Sequence, residues 1–185
     1  MAPGTVTRLI AEPLTEEAFR PFGQLIGEGS AAPDFRGEKG TVGWSMDWRG
    51  GRAKISYLLT PYRGLDFTKL ERHLALTQAF VPIGGAPAVV AVAAPTDPRD
   101  RDAVPGPETV RGFLLDGSVG YVLHAGTWHS LDRLAVAPPD TRWVMITDHE
   151  TAEDLEAAYT GRGGFALTEE VDFAVRFGTT FEFVL

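Results

Sequence analysis

A succession of short apolar runs is the strongest constraint on how this chain can fold. From residue 53 onward AKISYLL, LERHLALTQAFVPI, APAVVAVAA, VRGFLL, GYVLHAG, LDRLAVA, RWVMITD and FEFVL follow one another at roughly ten-residue spacing. Each is β-branched or alternates apolar with polar residues, the pattern of a half-buried or fully buried strand. Turn signals part them, the strongest being Asp116-Gly117 and Pro138-Pro139-Asp140. The 21 glycines and 13 prolines are spread along the chain, as many short joined strands require. The expectation is an all-β fold, a barrel or sandwich with a few short helices. At 185 residues a single domain, 1–185, has room for a real core.

Residues 6–11 read as a first strand. Thr15 is placed to cap a short helix over 16–22, with Glu16 and Glu17 in its first turn and Pro21 and Gly23 closing it. A second helix is expected over 152–159. Thr151 and Asp154 form a capping-box-like pair before it, and Gly161, Gly163 and Gly164 end it. The segment 29–43, rich in glycine and charge, reads as a surface loop and as the place for a lid. The tail, 165–185, is expected to return to strand, and its alternating end TTFEFVL to be an edge strand or to pair with a second copy of the chain.

Charge and composition narrow the partners. A net charge of -8 with no basic patch argues against nucleic acid. An anionic small molecule would have to be drawn in by a few local cationic groups working against that field. With no cysteine, thiol catalysis, disulfides and thiolate zinc sites are excluded. The longest apolar stretch, 86–95, is too short to span a bilayer, and no basic region precedes an apolar run at the N-terminus. A cytoplasmic protein that binds no membrane is expected by elimination.

Three of the four histidines lie in two segments about fifty residues apart, Glu71-Arg72-His73-Leu74-Ala75-Leu76-Thr77-Gln78 and His124-Ala125-Gly126-Thr127-Trp128-His129. In a strand, side chains two apart share a face. Glu71 and His73 should therefore point one way and Arg72 the other. Trp128 and His129 should likewise point to opposite sides, leaving Trp128 outside the barrel or at a subunit contact if His129 points inward. Two strands that bring imidazole and carboxylate or amide groups together inside an apolar barrel make a site suited to metal ligation or proton transfer.

The spacing Glu71-x-His73-x4-Gln78-x6-Gly85 resembles the first cupin motif, with Glu71 in place of its first histidine and Gln78 in place of its glutamate. His124-x-Gly126-x-x-His129 resembles the second, with His124 for proline, and Arg133 stands where that motif usually has asparagine. A cupin-type antiparallel β-barrel is the fold this implies. A closer resemblance is to the ureidoglycolate lyases, a cupin-fold family of allantoin breakdown. ERHLALTQAFVP, residues 71–82, is similar to that family's signature. GFLLDG, the following Gly-Tyr and HAGTWH resemble its second block, and LTEEAFRPFGQLI resembles its opening segment. The resemblance covers residues 6–28 and 65–150, about 60% of the chain. The chain departs from the second block at Val122 and Leu123, where the family has Asn-Tyr, and at Ser130 and Leu131, where it has His-Pro.

The resemblance implies cleavage of (S)-ureidoglycolate to glyoxylate and urea in purine catabolism. It implies a divalent ion held by Glu71, His73, Gln78 and His129. Nickel is the family's metal, and imidazole and oxygen ligands suit Mn, Zn or Fe as well. Gln78 has an equal claim to a structural role, because a neutral amide is a poor ligand. His124 and His129 are the expected catalytic residues. His124 neighbours the ligand positions without occupying one, which suits proton transfer. Lys54, on the strand entering the barrel, is expected to pair with the substrate carboxylate. Cupins as a class pair, so a homodimer is expected. Two further readings stay open: a cupin enzyme acting on another small hydroxy acid or amide, and a non-catalytic small-molecule-binding cupin.

Overall fold

The run Ala88–Ala93 has no polar residue, and every one of its side chains is fully buried. Such a strand needs a core on each face, and the rest of the fold supplies two. The computed structural model describes residues 4–185. In chain order its elements are β1 (Thr5–Pro13), α1 (Glu16–Phe19), β2 (Gly23–Ile26), β3 (Phe35–Arg36), β4 (Val42–Gly43) and β5 (Ala53–Pro61). Then come β6 (Asp66–Phe67), β7 (Lys69–His73), β8 (Gln78–Gly85), β9 (Ala88–Ala93), β10 (Arg111–Leu115) and β11 (Gly120–Leu123). The chain finishes with β12 (Trp128–Ser130), β13 (Leu134–Ala135), β14 (Asp140–Asp148), α2 (His149–Tyr159), β15 (Thr168–Asp172), α3 (Phe173–Phe177) and β16 (Thr179–Val184).

A nine-stranded sheet runs β15-β7-β12-β9-β10-β1-β16-β6, with β13 also on β9, and a five-stranded sheet runs β2-β11-β8-β14-β5. The fold is all-β and cupin-like, as expected. Its ladders are antiparallel except where β1 lies parallel to both β10 and β16. Alternation along β9 divides the core. Ala88, Val90 and Val92 face Phe80, Tyr121, Leu123 and Trp143 of the five-stranded sheet. Val89, Ala91 and Ala93 pack instead with Leu70, Trp128, Phe173 and Phe181 on the other side. Burying each large apolar side chain contributes about 1.5–3 kcal/mol, so β9 and its two neighbouring layers are a main source of stability.

Four local expectations are corrected. The run 70–83 is not one strand: it divides into β7 and β8, which lie in different sheets. The tail is no free edge, because β16 is paired on one side with β1 and on the other with β6. The first helix stops at Phe19, since Pro21 has no backbone N–H to extend the ladder beyond Arg20. The cap of α2 is Asp148 and not Thr151: its Oδ1 accepts from the Thr151 backbone N–H at 2.8 Å, which starts the helix at His149. His149 itself reaches Glu153 one turn on at 2.9 Å.

On β7, Glu71 and His73 do point one way and Arg72 the other. Arg72 is fully buried on the outer face of that strand. Its guanidinium donates to Glu169 of β15 at 2.8 Å and to Thr96, and lies 4.7 Å from the ring centre of Trp128. Trp128 is thus interior, not at a surface or subunit contact: it is 1% exposed and its indole N–H donates to Thr96. Removing one member of a buried ion pair strands the other charge, at a cost of about 3–5 kcal/mol. Glu169→Gln is therefore expected to lower stability by about 3 kcal/mol in a urea titration. The double variant Arg72→Met/Glu169→Gln should recover much of that loss, because it buries no unpaired charge.

Candidate active site

Strand register builds the site. In β12, His129 stands opposite Glu71 of β7 and opposite Val92 of β9, so it shares the inner face with both. Gly126, at φ 83°, makes the tight turn that leads into β12, a conformation that favours glycine. Across β7, His73 stands opposite Thr168 of β15. Glu71, His73 and His129 are all buried, and one ligand atom from each lies within 4.8 Å of the others.

The hydrogen bonds of the two imidazoles fix which nitrogen faces this point. His129 Nδ1 is 3.1 Å from the backbone carbonyl of Thr127, which can only accept, so Nδ1 carries the proton. His73 Nδ1 is 2.9 Å from Thr168 Oγ1, which can accept in the same way. Both Nε2 atoms are left buried with no hydrogen-bond partner. They lie 3.4 Å (His129) and 3.8 Å (His73) from the same oxygen, Glu71 Oε1. Two imidazole lone pairs and a carboxylate oxygen converging in a buried place repel one another until a cation joins them. The two spacings suit ligands each roughly 2.1 Å from one divalent ion. The residues fit such an ion, and the Nδ1 partners are the outer bonds that orient histidine ligands.

Electrostatics agree with this reading. Burial lowers the pKa of His73 from 6.5 to about 4, against the raising influence of Glu71. Burial alone would raise Glu71. The Arg133 charge, and the charges that His129 and His73 carry when protonated, outweigh it and hold the carboxyl below its ordinary value.

Glu71 also lines a cavity of about 470 Å³ between the two sheets, with Gln78, Arg133, Met145, Thr147 and Leu58 among its walls. Gln78 Oε1 and Thr147 Oγ1 are buried without partners. Gln78 therefore lies where the motif places it, beside Glu71. Lys54 is half-buried and stands opposite Thr147 across β5 and β14, but is not part of the cavity wall. His124 is not brought to the site. It lies in the turn after β11, its backbone N–H bonded to the Phe22 carbonyl, outside both the Glu-His-His group and the cavity wall. No residue of 29–43 lines the cavity either: this segment folds into the β3–β4 hairpin, and Trp44 Nε1 just beyond it bonds the Ala31 carbonyl.

Thr147 and Arg133 were not singled out as site residues from the sequence. The signal for Arg133 was a charge inside an otherwise apolar run, at the motif's asparagine position. The departures from the family pattern sort by location. Val122 and Leu123 are buried in β11, and Ser130 Oγ is 3.1 Å from the Ala91 N–H and donates to the Asp132 carbonyl. These three serve packing, whereas Leu131 is in the cavity wall.

Fold and site together define a cupin-type barrel with a buried Glu-His-His group whose Glu71 reaches a cavity of mixed polar and apolar lining. A family described as ureidoglycolate lyase matches residues 6–166, and the chain belongs to that family of enzymes. It is 34% identical over 131 residues to the ureidoglycolate lyase of Pseudomonas syringae pv. syringae, covering 66% of this chain and 73% of the relative. It is 36% identical over 132 residues to that of Rhodobacter capsulatus, covering 67% and 77%. To that of Brucella abortus biovar 1 it is 32% identical over 134 residues, covering 67% and 74%.

The depressed pKa of His73 makes a stability prediction for the metal-free chain. Between pH 6.5 and about 4 the unfolded imidazole takes up a proton that the folded one refuses, so stability present above this window is lost as pH falls through it. The loss is expected to be roughly 2–3 kcal/mol. Urea titrations of chelator-treated protein at about pH 6.5 and about pH 4.5 should show it, and His73→Gln should show a shallower loss whatever its starting stability.

Proposed function

We propose that this chain cleaves (S)-ureidoglycolate to glyoxylate and urea. The observation that carries the reading is the buried convergence of Glu71, His73 and His129, with Glu71 reaching the wall of a cavity, in a chain of the ureidoglycolate lyase family. The substrate has one carbon bearing a hydroxyl, a carboxylate and the ureido nitrogen. The reaction moves the hydroxyl proton to that nitrogen while the C–N bond breaks, so the carbon becomes the aldehyde of glyoxylate and urea leaves.

In this reading Glu71, His73 and His129 hold a divalent ion. When bound, the ion supplies Lewis-acid polarisation of the substrate's oxygens. The donor set is compatible with nickel and equally with Mn, Zn or Fe. Two carboxylates reach the cavity, and Asp132 is paired with Arg63, so an oxygen of Glu71 is the base available to the hydroxyl proton, and returning that proton to the leaving nitrogen balances the step. Gln78 and Thr147 offer unpartnered polar atoms to the ureido group, which both donates and accepts. His124 and Lys54 lie outside the cavity wall, so any part they take is at a distance from the reacting atoms. A second reading, activity on another small hydroxy acid or amide, is favoured by Leu131, the one family departure of the second block that lines the cavity.

The reading extends to assembly and location. We place the enzyme in the cytoplasm, in keeping with its lack of cysteine; among the described residues no helix is long and apolar enough to cross a membrane. We propose a homodimer of this chain through β5. This strand is a free edge of the five-stranded sheet and presents Ile55, Tyr57 and Leu59 on one face at 71%, 59% and 54% exposure. Sedimentation should give a dimer for the native chain and a monomer for Ile55→Lys; a monomeric native chain would remove this part of the proposal.

A coupled glyoxylate assay on racemic ureidoglycolate, with and without added Ni²⁺ or Mn²⁺, tests the activity. Turnover is expected, consuming half of the racemate, and His73→Ala and His129→Ala should each reduce kcat/KM at least a hundredfold. A folded, metal-loaded chain with no turnover on ureidoglycolate would sink the lyase reading, and turnover of another hydroxy acid or amide would establish the second.

A further inference from the structure

Arg133 is the unusual charge in this molecule. It is 4% exposed, yet its hydrogen-bond partners are all neutral: the Tyr121 hydroxyl at 2.9 Å and the backbone carbonyls of Leu131 and Ser130 at 3.2 and 3.4 Å. Its guanidinium carbon lies 3.6 Å from the ring centre of Phe80. No carboxylate comes within 4 Å of it among the described residues. Arg72, the other deeply buried arginine, has Glu169 as its counterion. Glu71 feels the Arg133 charge across the cavity, but no carboxylate bonds to it, and a buried charge without a bonded counterion is costly.

The three partners hold the guanidinium plane in place and use three of its five N–H groups. Arg133 is also part of the wall of the cavity that Glu71 opens on. The same wall carries Gln78 and Thr147, each 5% exposed or less and each with a buried polar atom that has no partner.

We propose that Arg133 is the carboxylate-recognition residue of this cavity, fixing a small hydroxy-carboxylate ligand by charge-assisted hydrogen bonds while Gln78 and Thr147 meet the ligand's polar end. The inference deepens the lyase reading by assigning the role first expected of Lys54 to Arg133, and it holds for any small carboxylate the cavity takes. A planar guanidinium matches the two oxygens of a carboxylate. Glu71 in the same cavity disfavours a dianion such as phosphate, so a monoanion is the ligand class. The arrangement also answers the net charge of -8: the attraction is local, buried and unscreened.

The test compares glycolate with its neutral isostere glycolamide, titrated by calorimetry into the full chain with metal content measured and matched between variants. Native protein is expected to bind glycolate at least tenfold more tightly than glycolamide. Arg133→Met should weaken glycolate about a hundredfold and leave glycolamide within threefold, and Arg133→Lys should recover part of the preference. Equal affinities in the native chain, or an undiminished preference in Arg133→Met, would overturn the assignment. If Arg133→Met does not fold, the native chain stripped of metal decides: the preference for glycolate must survive stripping, and its disappearance would assign it to the ion instead. Failure of this proposal is separable from failure of the lyase reading. Carboxylate preference that depends on Arg133 without turnover of ureidoglycolate retains the subsite and discards the reaction; turnover with a preference indifferent to Arg133 does the reverse.

Discussion

A slip of one residue between β7 and β12 would turn one strand over against the other, setting Trp128 in place of His129 beside Glu71, or carrying Arg72 into the barrel in place of Glu71. The period of a strand is two, so no smaller error exists. Both faces of this pairing forbid the slip. Inside, His129 stands between Glu71 and Val92. Outside, the Arg72 guanidinium is tied at once to Glu169, Thr96 and the Trp128 ring. The outer network buries an ion pair for no evident gain in stability over an apolar replacement. It does single out one register, and the inner triad depends on that register.

The second constraint is β9. A strand with six consecutive buried apolar side chains cannot sit at a surface, so the chain must cover both of its faces. Covering one face brings the five-stranded sheet across the barrel, and with it Gln78 on β8 and Thr147 on β14. Glu71, His73 and His129 come from the other sheet. The cavity is thus a by-product of how β9 is buried: it lies where two sheets face each other and where apolar packing gives way to Glu71, Gln78, Arg133 and Thr147. Polar groups in such a place have only one another and the ligand to bond to, which is why Gln78 Oε1 and Thr147 Oγ1 are left orphaned there, while His73 Nε2 and His129 Nε2 are orphaned beside Glu71.

What could be read from the sequence follows from which interactions are local. The opposite facing of Glu71 and Arg72, and of Trp128 and His129, follows from strand periodicity alone and holds in the structure. The break inside 70–83 was not legible. Leu74–Thr77 is apolar enough to continue a strand, and only the need to serve two sheets makes the chain turn there. β15 falls within the expected return to strand over 165–185, but its burial was not legible: TEEVD looks solvated, yet Thr168 and Glu169 are buried because they are the partners of His73 and Arg72. The tail read as an edge because alternation shows a one-sided strand without showing its neighbours, and β1 and β6 come from far away in sequence. Asp148 was passed over as a cap because it ends a strand and starts a helix at once.

The departures from the family pattern carry the last step. Along the sequence, Val122, Leu123 and Ser130 weigh most heavily against the family's substrate, since they replace polar or aromatic residues near His129. In three dimensions all three are buried, none lines the cavity, and the Ser130 hydroxyl bonds backbone on β9 and in its own loop. Losses there adjust how β11 and β12 pack and leave the cavity chemistry to Leu131, Asp132 and Arg133, the segment just beyond. A loop that follows the ligand strand can change its side chains without disturbing the register that holds Glu71 opposite His129. Specificity in this fold is therefore free to drift at positions 131–133 while the Glu-His-His group stays fixed, and a buried arginine with no carboxylate bonded to it is the kind of group such drift would keep where a ligand supplies that bond.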